Sequence, residues 1–67
     1  MSRDDAYAKW LAADQAWSAE LQRVFGKHAG DARYRPAGVS STALRRLHDR
    51  VRRAEAAYRR ASSPAGA

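Results

Sequence analysis

The sequence predicts a mostly α-helical protein, folded as an antiparallel hairpin of two helices. Two long segments carry apolar residues at spacings of three and four, which is the period of an α-helix. The connection between them contains three glycines and a proline, which cannot continue a helix. With 67 residues, 16 of them alanine, the chain can form one small domain with few large apolar side chains. We predict that this domain covers residues 1–61 and that residues 62–67 form a flexible tail.

The first helix is predicted from about Arg3 to Phe25. Ser2, followed three residues later by Asp5, fits a capping box, in which the serine hydroxyl accepts a hydrogen bond from a free backbone N–H of the first turn. Gly26 directly follows the last apolar residue and supplies a natural C-cap.

The connection, residues 26–39, leaves two structures open. His28–Ala29 and Ala32–Arg35 could pair as short strands across a turn at Gly30–Asp31. Their apolar alternation is poor, and an isolated β-hairpin is marginal in water. The prediction is therefore a plain helical hairpin, with a small β-hairpin in the connection (an α+β fold) as its variant.

The second helix is predicted over residues 40–61. Ser40 is expected to be its N-cap, with Val39 and Leu44 at the positions of a hydrophobic staple. The helix has one apolar side, because its larger apolar residues recur every three or four positions. These residues are Leu44, Leu47, Val51, Ala54 and Tyr58.

Six arginines of the second helix repeat every seven residues in two adjacent columns. A step of seven residues is nearly two helical turns, so the arginines should form one face, opposite the apolar side, with charges about 10 Å apart along the axis. We call this face the arginine wall; it consists of Arg45, Arg52 and Arg59 in one column and Arg46, Arg53 and Arg60 in the other. Arginine suits bidentate contacts with phosphate or carboxylate. The wall predicts binding to a polyanion or an acidic protein surface, and a simply solvated face is the alternative.

The charge is unevenly distributed along the chain. Net charge is −1 over residues 1–25, +2 over residues 26–39 and +5 over residues 40–67. Asp49 and Glu55 are expected to pair weakly with neighbouring arginines, at about 0.2–0.5 kcal/mol per pair. Two acids cannot neutralise seven arginines, so the second half favours an anionic partner or head-to-tail contacts between subunits.

Three aromatic residues are candidate protein-interface positions. Trp10 and Trp17 lie two turns apart on the apolar side of the first helix, where they could fill the core or anchor a neighbouring subunit. Tyr34 stands between Arg33 and Arg35, a pattern that can stack a base and grip phosphates. Alternatively, Tyr34 folds back onto the helices.

The sequence does not predict an enzyme. It has no Gly-rich phosphate loop and no nucleophile with a placed base, so no catalytic residue and no cofactor is expected. His28 and His48 lack further ligands at metal spacing, and cysteine is absent, so no metal site is expected either. No segment approaches a signal peptide or the ~20 apolar residues of a membrane span, which predicts a cytoplasmic protein without a membrane partner.

The chain resembles the small head–tail joining proteins of tailed bacteriophages, the W-type family, and related short phage neck proteins. The resemblance rests on Glu20–Lys27 leading into the connection and on Val39–Leu47 continuing to Glu55, and it lies mainly in length and layout. It implies two helices flanking a small β-hairpin and assembly as a ring beneath the portal. It implies no active site, because the family is structural.

The expected function is therefore structural assembly, as a phage connector or neck subunit that forms a ring around the DNA exit channel. The expected partners are portal or other neck proteins and copies of the chain itself, with DNA as a further partner of the basic face and no small-molecule substrate. If phage-encoded, such a protein is made in the bacterial cytoplasm and ends in the virion neck. The alternative is a small basic helical hairpin that binds nucleic acid, with a dimeric four-helix bundle as one form. A third, plainer option is a folded adaptor without an anionic partner.

Overall fold

The computed structural model describes residues 2–62, which form two long helices joined by a helical connection. Helix α1 spans Arg3–Phe25, helix α2 spans Ala29–Ala32 and helix α3 spans Thr42–Ser62. Short 3₁₀ helices at Gly26–His28 and Pro36–Val39 flank α2. The long helices α1 and α3 pack against each other as the predicted hairpin. Ser62, the first residue of the predicted flexible tail, is the last residue of α3. The other residues of that predicted tail, 63–67, lie outside the described residues.

Both ends of α1 are formed by the residues that the sequence predicts. The backbone N–H of Asp5 donates to the Ser2 hydroxyl oxygen at 3.1 Å, which satisfies one of the free donors of the first turn. Gly26 ends the helix with a φ of 56°, a positive value that glycine adopts without the steric cost a side chain would bring.

The connection contains no strand within residues 2–62, so the β-hairpin variant of the prediction is wrong. The segment is helical, because the Arg33 N–H donates to the Ala29 carbonyl at 3.1 Å and the Arg35 N–H donates to the Ala32 carbonyl at 3.1 Å. Ala29 and Ala32 are both buried. Their separation of three residues places both methyl groups on one side of a helical turn, and this turn packs on α1.

Helix α3 begins slightly later than the sequence predicts. Ser41, rather than Ser40, is the capping residue, since its hydroxyl accepts the N–H of Leu44 at 3.1 Å. The Ser40 hydroxyl instead donates to the Ala37 carbonyl at 2.7 Å, within the preceding turn. With the cap moved by one residue, Val39 no longer occupies the staple position.

The core lies where the connection covers α1, with Trp17 at its centre. The Trp17 indole N–H donates to the Gly38 carbonyl at 3.0 Å, and the centroid of the His48 ring lies 4.7 Å from that of Trp17. One side chain thus joins α1 to the connection and to α3. The buried core residues are Trp17, Leu21, Ala29, Ala32, Leu44 and Val51.

Gly38 is expected to tolerate no side chain. A Cβ atom at this position would lie 2.6 Å from the Ala32 carbonyl oxygen and 3.3 Å from the Trp17 ring, so the backbone would have to move. We expect Gly38→Ala to lower the free energy of unfolding by about 1–3 kcal/mol, measured by urea denaturation. Gly30→Ala is the matched control, because nothing lies within 4 Å of its Cβ position and alanine favours a helix. Equal stability of the two variants would contradict the close packing at Gly38.

Candidate polyanion-binding face

The arginine wall lies on the surface of the hairpin. All six of its arginines are exposed, whereas Leu44 and Val51 on the other side of α3 are buried. The helix therefore separates its apolar side from its cationic side, as the period of its sequence predicts. None of the six guanidinium groups is used to form the core.

Acidic side chains neutralise little of the wall. Glu55 pairs with Arg59 at 3.4 Å, as the sequence predicts. Asp49 forms no ion pair within 4 Å among residues 2–62, so its predicted pairs are missing, although it lines a shallow hollow beside Arg52 and Arg53. The wall arginines without a carboxylate partner in the described part of the chain are Arg45, Arg46, Arg52, Arg53 and Arg60.

Three arginines outside α3 pair with acids in the fold, and two of these pairs lie on the surface. Arg23 donates twice to the Glu20 carboxylate, at 2.6 and 2.7 Å. These hydrogen bonds lower the pKa of Glu20 and raise the pKa of Arg23. Arg35 lies 3.0 Å from Asp31, four residues away. Most of the arginines that no carboxylate neutralises within residues 2–62 therefore lie on α3.

Arg33, the third of these arginines, holds the connection onto α1. Its guanidinium pairs with Asp14, donates to the Ser18 hydroxyl at 2.7 Å and lies 4.9 Å from the centroid of the Trp17 ring. The pair explains why Asp14 occupies a position of α1 where the helical period places an apolar residue. The sequence pattern does not reveal the pair, because its members are 19 residues apart.

The cationic surface continues from the wall toward α1, in a cleft of about 440 Å³ between the two long helices. Lys9 lies on the α1 side of this cleft, and Arg50 and Arg53 lie on the α3 side. The rest of the lining consists of the alanines Ala12, Ala13, Ala16 and Ala54. Sequence reasoning missed Lys9 and Arg50. The signal that could have found them is the run of alanines three, four and seven residues after Lys9, which leaves one side of α1 without large side chains.

The three predicted interface aromatics lie in different environments. Trp17 is 5% exposed in the core, and Tyr34 is 85% exposed, so Tyr34 does not fold back onto the helices. Trp10 is partly buried and packs against Tyr7 and Tyr58, with ring centroids 6.3 and 5.3 Å away. Contact of these residues with a neighbouring subunit stays a prediction, for which the exposed Tyr34 and the partly exposed Trp10 offer surface.

Residues 2–62 contain neither a cluster of metal-ligating side chains nor a helix that could span a membrane. No group of three or more His, Cys, Asp or Glu side chains is placed to hold a metal ion there. His48 instead packs on the Trp17 ring, and His28 is exposed in the first 3₁₀ helix. Within the same residues, no helix combines the length and the apolar character needed to cross a membrane.

Comparison of the chain with protein-family models, with curated proteins and with solved structures found no match. Function therefore has to be inferred from the chemistry of the surface. The feature with the clearest chemical meaning is a helix face of six exposed arginines, five of them without a carboxylate partner among residues 2–62, continued by a cationic cleft.

Proposed function

We propose that the protein is a small helical hairpin that binds the phosphate backbone of nucleic acid through the arginine wall. The observation that supports this proposal is the exposure of five arginines on one helix face without a carboxylate partner among residues 2–62. Contacts between arginine and phosphate supply much of the sequence-independent affinity of proteins for nucleic acid.

The charge of α3 has a cost in the free protein that a polyanion would remove. Like charges three or four residues apart on a helix repel each other, at about 0.2–0.5 kcal/mol per pair. Arg50 stands in this relation to both Arg46 and Arg53, and all three are exposed. A neighbouring row of phosphates offsets this repulsion by attraction, so binding and helix stability support each other.

Salt dependence is the experiment that tests the proposal. We expect the affinity for a labelled duplex of about 20 base pairs to fall steeply between about 50 and 200 mM salt. If about four to six phosphates are contacted, the plot of log K against log salt should have a slope of about −4 to −5, measured by fluorescence anisotropy. Binding that is absent at low salt, or that does not change with salt, would contradict the proposal.

A connector or neck subunit, which the phage resemblance implies, is the second candidate function. The observation that favours it is the set of large apolar side chains left exposed in so small a protein: Tyr7 and Leu11 on α1 are 50% and 45% exposed, and Tyr34 is 85% exposed. Such side chains suit contacts between subunits, and the arginine wall would then face DNA in the channel or an acidic portal surface. The β-hairpin that the resemblance implies is missing from residues 2–62.

Self-association is the property that distinguishes the second candidate. We expect a ring-forming subunit to show a mass several times that of the monomer in light scattering at high protein concentration. Replacing Leu11 and Tyr34 with serine should return it to the monomer, because the apolar contacts are lost. A protein that stays monomeric at every concentration, yet binds duplex DNA, would favour the first candidate.

A further inference from the structure

We infer that the cleft between α1 and α3 is a phosphate-binding site, in which Lys9, Arg50 and Arg53 together grip the backbone of the bound nucleic acid. This inference rests on the proposed function and deepens it, because it adds a second helix to the binding face. The ligand class is the phosphodiester group of a nucleic acid strand.

The charges around the cleft support this assignment. Three cationic side chains from two helices line it, and none of its lining residues in the described part of the chain is acidic. The hollow on the other side of Arg53 differs, because Asp49 lines it together with Arg52. The cleft is therefore a part of the cationic surface where an anion meets positive charge on both sides and no lining carboxylate repels it.

The shape of the cleft also suits a strand of phosphates. The remaining lining residues are alanines, whose short side chains leave about 440 Å³ open between the helices. A phosphate group offers oxygens in several directions, so donors on opposite sides of the cleft can bind the same phosphate. Lys9 supplies a point charge from the α1 side of the cleft. The planar guanidinium groups of Arg50 and Arg53 supply fixed pairs of donors from the α3 side.

The inference predicts that Lys9 contributes to binding, although it lies far from the wall in the sequence. We expect Lys9→Gln to lower the affinity for duplex DNA about 5- to 10-fold at ~0.1 M salt and to reduce the salt slope by about 1, as for one lost phosphate contact. Lys27→Gln is the matched control, because Lys27 is also an exposed lysine but lies outside the cleft. Fluorescence anisotropy measures both affinities.

A second pair of variants tests the cleft without changing any charge. Ala16→Leu places a larger side chain in the cleft and should lower the affinity several-fold, because phosphate can no longer enter. Ala8→Leu is its control, since Ala8 is an exposed residue of the same helix that does not line the cleft. Circular dichroism melting checks that all four variants keep the fold.

The outcomes separate the two proposals. The phosphate site in the cleft is supported if the wild type binds DNA in a salt-dependent way and only Lys9→Gln and Ala16→Leu lose affinity. Their controls should then bind as tightly as the wild type. Equal affinities of each variant and its control would overturn the cleft while leaving the arginine wall in place. No binding of DNA by the wild type would overturn both proposals. Binding of polyglutamate in preference to DNA would overturn the phosphate assignment in favour of an acidic protein partner.

Discussion

Trp17→Ala is expected to unfold most of the protein at 25 °C. Removal of a buried tryptophan costs about 3–5 kcal/mol, and the core of a domain of this size rarely supplies a total stability above about 3–5 kcal/mol. Trp17 is 5% exposed and contacts two other parts of the chain, the connection through Gly38 and the guanidinium of Arg33 and helix α3 through His48. Its loss therefore separates the connection from both long helices. Urea denaturation followed by far-UV circular dichroism measures the effect.

Two further variants separate the contributions of Trp17. Trp17→Phe keeps an aromatic ring but removes the N–H that donates to the Gly38 carbonyl. We therefore expect a smaller decrease in the free energy of unfolding, of about 1–3 kcal/mol. Trp10→Ala is the control for loss of a tryptophan, because Trp10 is only partly buried and should cost less than Trp17→Ala. If Trp10→Ala lowered the free energy of unfolding more than Trp17→Ala does, the core would be centred elsewhere.

Reversal of two charges in the middle of the arginine wall is expected to have the largest effect on binding. In the double variant Arg52→Glu, Arg53→Glu, two phosphate contacts are lost and two repulsive charges appear. The affinity for duplex DNA should fall about 100-fold or more at ~0.1 M salt, and the salt slope should shrink by about 2. Fluorescence anisotropy with the duplex measures both quantities.

A variant with the same change of net charge controls for the overall field of the protein. Arg3→Glu, Lys27→Glu alters two exposed positions near opposite ends of α1 and should retain most of the affinity. Both double variants should stay folded, because all four positions are exposed. If the two affinities fall equally, binding depends on net charge alone and the wall is not the contact surface.

Much of the hairpin could be predicted from local signals in the sequence. Ser2 and Gly26 act within a single helical turn, so the ends of α1 follow from residue type and position. The division of α3 into an apolar and a cationic side follows from its period, as the burial of Leu44 and Val51 confirms. These features need no knowledge of the rest of the chain.

The parts that escaped prediction depend on contacts between distant residues. The pairing of Asp14 with Arg33 and the approach of Trp17 to Gly38 decide the path of the connection, and these pairs are 19 and 21 residues apart in the sequence. The cleft is a further example, because Lys9 and Arg50 line it together only once the helices are packed. The arginine wall can be predicted from the sequence of one helix, whereas the cleft forms only when two helices pack together.

The most direct test of binding through the wall and the cleft is an NMR titration of the full chain, labelled with ¹⁵N, with a short DNA duplex at low salt. The hairpin is expected to be folded before DNA is added and to bind phosphates without a change of fold. We expect the signals of the arginines along α3 and of the α1 segment 9–16 to shift and the signals of Val24 and Gly30 to stay, with all shifts reversed by salt. Unchanged spectra, or shifts confined to Tyr7, Leu11 and Tyr34, would contradict this account.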